Sequence, residues 1–117
     1  MFYTERVDGF QITDVTYIGL PPPNTPPTFS IVKWFRHEPP LTGVTVYKDG
    51  QVLKNQTIDE TSYVVAELVW NRHEHDFDFR SIGTRWLEEN PTEDVVKMIL
   101  DFAKKKDKEL SAQEEYW

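Results

Sequence analysis

Residues 63–79, YVVAELVWNRHEHDFDF, constrain the fold more than any other stretch of this chain. The first half is rich in β-branched and aromatic residues. At the two-residue period of a strand it places Val64, Ala66, Leu68 and Trp70 on one face and Tyr63, Val65, Glu67 and Val69 on the other. Both faces are largely apolar, as in a central strand covered on both sides. Residues 76–82 set Phe77 and Phe79 against Asp76, Asp78 and Arg80, the alternation of a strand with one wet face. The polar residues 71–75 join the two as a hairpin loop.

Further strands assemble around this pair. Asp8-Gly9 supplies the positive φ angles of a two-residue turn, so residues 2–7 and 10–18 read as an opening hairpin, with imperfect alternation near Thr13 and Asp14. Residues 19–28, GLPPPNTPPT, hold five of the eight prolines and form a proline-rich loop within the domain. Residues 29–35, FSIVKWF, form a strand that Arg36-His-Glu-Pro-Pro40 is expected to end, because prolines remove ladder donors. Asp49-Gly50 then closes a second hairpin in which Lys48 faces Gln51, Tyr47 faces Val52 and Val46 faces Leu53.

The period changes near the C-terminus. Residues 81–89 suggest a short helical turn. Asn90-Pro91-Thr92-Glu93 then reads as a helix start with Asn90 as its cap. Val95, Ile99 and Phe102 form an apolar stripe on a helix over residues 92–106, which lapses at KKKDKE, so residues 107–117 are expected as a polar tail. The resulting fold class is α+β: a bent antiparallel sheet or partly open small β-barrel of five to seven strands, packed against one C-terminal amphipathic helix. At 117 residues the chain has room for a single domain.

Composition limits the function classes. No cysteine is present, which excludes disulfides and thiolate metal sites. No segment resembles a signal peptide or approaches the roughly 20 apolar residues of a membrane helix, so a cytoplasmic protein without membrane contact is expected. The net charge of −7 arises entirely after residue 58, where fifteen acids face eight bases. That field disfavours nucleic-acid phosphates and favours basic protein partners.

Two functional readings follow. The first is a small noncatalytic protein-interaction or assembly protein without a cofactor, acting on a partner or on itself through an aromatic and acidic surface. Trp34, Tyr47, Trp117 and the prolines Pro22 and Pro23 are its candidate contacts, because the apolar pattern forces none of them under the helix. The second reading takes His73, His75, Asp76 and Asp78, with His37 as a third histidine, as donors for a divalent metal in a phosphate-ester hydrolase. A continuous strand divides these donors between its two faces, so this reading requires a loop that gathers them. No nucleophile elbow, helical HExxH or phosphate-binding glycine loop occurs.

Overall fold

The computed structural model describes residues 3–15 and 24–114. Four strands, β1 (Phe10–Asp14), β2 (Thr28–Lys48), β3 (Gln51–Asn71) and β4 (Asp76–Ser81), precede two helices, α1 (Arg85–Glu88) and α2 (Glu93–Glu114). Each strand pairs antiparallel with the next, in the order β1-β2-β3-β4, and the sheet does not close. The architecture is α+β: of the two expected arrangements the open antiparallel sheet is present and the barrel is not, and among the described residues it has four strands in place of five to seven.

The strand count falls because segments that look separate in the sequence are continuous. Pro39 and Pro40 do not end β2. Arg36 pairs with Glu60 and Leu41 with Ile58, so a step of five residues on β2 is matched by a step of two on β3. The surplus residues, both prolines among them, bulge from the ladder where no donor is required. Across the bulge, residues 29–35 and 44–48 belong to one strand, and residues 51–55 and 63–70 to its partner.

Register explains the core. Ile12 lies opposite Ile31, Ile31 opposite Ala66, Phe29 opposite Leu68, and Trp70 opposite Phe77. Paired residues share a face, and this face receives Val95, Ile99 and Phe102 of α2. Phe102 meets Phe29 edge-on at 5.0 Å between centroids and lies 6.4 Å from Phe77. Between the Ile31–Ala66 and Val32–Val64 pairs, β3 carries one extra residue, Val65, which the bulge turns into the core. Before β1, Val7 pairs with Phe10 and Tyr3 with Thr13 across the Asp8-Gly9 turn, as the opening dipeptide predicts.

The cap of α2 differs from expectation. The Thr92 hydroxyl accepts the Val95 N–H at 3.4 Å, and its carbonyl accepts the Val96 N–H at 3.1 Å. Thr92 is therefore the N-cap. Asn90, at φ 47°, instead follows α1 in the left-handed conformation that ends many helices. The helix also continues to Glu114, through much of the region expected as a polar tail. Polar anchors hold this extension: the Trp70 indole N–H donates to Asp107 at 3.0 Å, and Nδ1 of His75 lies 2.9 Å from the Ser111 hydroxyl. Leu110 adds an apolar contact with the core. Among the described residues no helix is long and apolar enough to cross a membrane.

Candidate interaction surface

β2 and β3 are far longer than their neighbours. β1 pairs with β2 only over residues 29–33, and β4 with β3 only over residues 66–71. Beyond this four-stranded body, residues 36–48 and 51–60 continue as a two-stranded arm, roughly 30 Å long at about 3.3 Å per residue. The radius of gyration, 16.5 Å, exceeds the roughly 13 Å of a compact chain of this length, and the longest dimension is 50 Å.

Its base is fastened to the body. Arg6 pairs with Glu60 at 2.8 Å and places its guanidinium 3.9 Å above the Trp34 ring. The Trp34 indole N–H donates to Gln11 at 2.8 Å. Phe35 sits 5.5 Å from Tyr63 and 4.9 Å from His37, whose Nε2 lies 2.8 Å from the Thr61 hydroxyl. Further out, no side-chain hydrogen bond, ion pair or ring contact among the described residues joins residues 41–58 to the body.

The outer arm nevertheless carries apolar cross-strand pairs. Leu41 pairs with Ile58, Val46 with Leu53 and Tyr47 with Val52, in the register read from the Asp49-Gly50 turn. Neighbouring pairs point to opposite faces, so Val46 and Leu53 make one face of the tip apolar, and Tyr47 and Val52 the other. Tyr47 is 80% exposed, beside a turn with φ of 52° at Asp49 and 77° at Gly50. The main-chain edges of the outer arm are also unpaired among the described residues. An exposed edge with apolar side chains is a template for pairing with another chain.

Of the contact residues singled out from sequence, Tyr47 stands on this tip. Trp34 is half-buried at the arm's base with both intramolecular partners described above. Pro22, Pro23 and Trp117 lie outside the described residues. Sequence reasoning did not single out Leu41, Val46, Val52, Leu53 and Ile58. The signal available for them was the apolar cross-strand pairing on a hairpin with no nearby segment to cover it.

The proposed metal donors do not converge. Among the described residues no three histidine, aspartate or glutamate side chains are placed to hold an ion. The Asn71 side-chain oxygen accepts the N–H groups of His73 and Glu74, at 3.0 and 3.2 Å, which shapes the turn without a metal. His75 is turned toward Ser111 of α2, and Oδ1 of Asp76 accepts the N–H of Phe77 at 2.8 Å. His37 contacts the hydroxyl of Thr61, which lies opposite Phe35 and ten residues along β3 from Asn71 at the start of the turn, on the order of 30 Å away. The loop needed to gather these donors is a tight turn that disperses them instead.

His73 and Asp78 do share the wall of a shallow cleft of about 800 Å³, bounded by Pro26, Pro27, Trp70 and Leu110. Its lining is mainly apolar, and among the described lining residues no acid-base pair or nucleophile comes within hydrogen-bonding distance. No protein-family model matches this chain, and neither a curated protein nor a solved structure matches it significantly.

Proposed function

We propose that this is a noncatalytic interaction and assembly protein whose contact element is the β2–β3 arm. The observation that carries this reading is the exposure of Leu41, Tyr47 and Val52 on the arm, which no side-chain hydrogen bond, ion pair or ring contact among the described residues ties to the body. An isolated two-stranded ribbon is at best marginally stable in water, so an arm of this length gains rigidity when another surface covers it. The four-stranded body and α2 serve as the base that presents it.

Native mass spectrometry over a range of protein concentrations, with and without zinc or manganese, tests the reading. Discrete assemblies that ignore added metal and disappear in Tyr47→Ala support it. A monomer that takes up one metal ion stoichiometrically, and loses it when His73 and His75 are replaced, refutes it.

A further inference from the structure

We propose that the surface receiving the arm is on a second copy of this chain, at the outer edge of β4 and the adjoining helix α1. This rests on the arm being the contact element and specifies its partner. Residues 41–56 carry Lys48 and Lys54 against Asp49, a balance of +1, which leaves −8 on the remainder of a chain whose net charge is −7. The tip is thus a weakly basic, apolar end on an acidic molecule, and the body of a second copy offers the opposite charge.

The β4 edge supplies the other half of the match. β4 pairs only with β3, so its outer main-chain groups face away from the sheet without a strand partner among the described residues. Phe79, 44% exposed, rests edge-on against Trp86 at 5.2 Å, and next to Trp86 stands Leu87, 72% exposed. Ile82 lies between them in sequence and is also exposed. Over residues 76–89 the acids Asp76, Asp78, Glu88 and Glu89 outnumber the bases Arg80 and Arg85. An unpaired strand edge, an apolar patch and a negative balance therefore occur together, and each has its counterpart on the tip.

Two arms docking on one another would instead bring together surfaces of like charge. The arm-to-edge contact is heterologous, because the donor and acceptor surfaces differ. Repeated through a series of copies, it forms a ring where the rotation closes and an open polymer where it does not.

Complementation between two variants tests this. Y47T/V52T removes the apolar tip but keeps β-forming residues, whereas D78K/L87K reverses the charge and apolar character of the acceptor at exposed positions. Sedimentation velocity is recorded for wild type, each variant and an equimolar mixture, with circular dichroism confirming that each variant is folded. Wild type is expected to associate with increasing concentration, each variant to associate about 100-fold more weakly, and the mixture to form a one-to-one heterodimer that grows no further. Self-association of D78K/L87K at wild-type strength overturns the acceptor assignment and leaves the arm as the contact element. Wild-type assemblies unaffected by either variant overturn both. A wild type that stays monomeric at every concentration overturns the second-copy partner alone.

Discussion

Replacing Tyr47 with alanine separates a residue that serves folding from one that serves contact. An aromatic side chain buries about 150–250 Å² when fully covered. Tyr47 is 80% exposed, so roughly 30–50 Å² of that is covered within the chain. At about 25 cal/mol per Å², the substitution costs folding at most about 1 kcal/mol. The remaining ~120–200 Å² corresponds to about 3–5 kcal/mol on complete burial in an interface, or on the order of 100- to 4,000-fold in association. Urea denaturation at a concentration where the chain is dissociated measures the first quantity, and sedimentation equilibrium measures the second. A loss of folding stability above about 3 kcal/mol, or association unchanged by the substitution, would show that Tyr47 belongs to the fold.

Other substitutions report on the body and on the division between body and arm. Phe102→Ala removes the ring between Phe29 and Phe77 and is expected to lower stability in urea by about 3–5 kcal/mol; a loss under about 1 kcal/mol would mean that α2 does not close the core. Asp107→Ala leaves the Trp70 indole N–H, in a side chain 7% exposed, without its acceptor, and should cost about 1–3 kcal/mol in the same assay. Gly50→Ala strains a turn at φ 77° that has open space around it. At about 1–2 kcal/mol of local strain, amide exchange near the tip should accelerate about 5- to 30-fold while the denaturation midpoint stays fixed. A matching fall in the midpoint would make the arm part of the cooperative body.

The body was largely legible in the sequence because its signals are local. Alternation in residues 63–70 and 76–82 identified the β3–β4 hairpin, and Asp49-Gly50 gave the register of the arm tip residue by residue. The prolines at 39 and 40 misled because their effect depends on the partner strand. A bulge of surplus residues removes the ladder requirement that would otherwise make them chain breakers. The last turns of α2 were missed for a related reason: Asp107 and Ser111 anchor them by hydrogen bonds to Trp70 and His75, which apolar periodicity does not register. Exposure of the arm was equally hidden. Its pairs resemble core strands in composition, and only the short reach of β1 and β4 leaves them uncovered. The histidine-carboxylate cluster showed the reverse, since closeness in sequence did not become convergence in space once Asn71 shaped the turn.

The most direct test of the arm as a contact element is hydrogen–deuterium exchange of the amides in residues 44–55, measured in dilute and in concentrated protein. Fast exchange when dilute, slowing at least about tenfold as assemblies form while the body amides change little, is the expected result. Protection as high as that of the β3–β4 hairpin in the dilute chain, unchanged by concentration, would contradict it, because such an arm is stable without a covering surface.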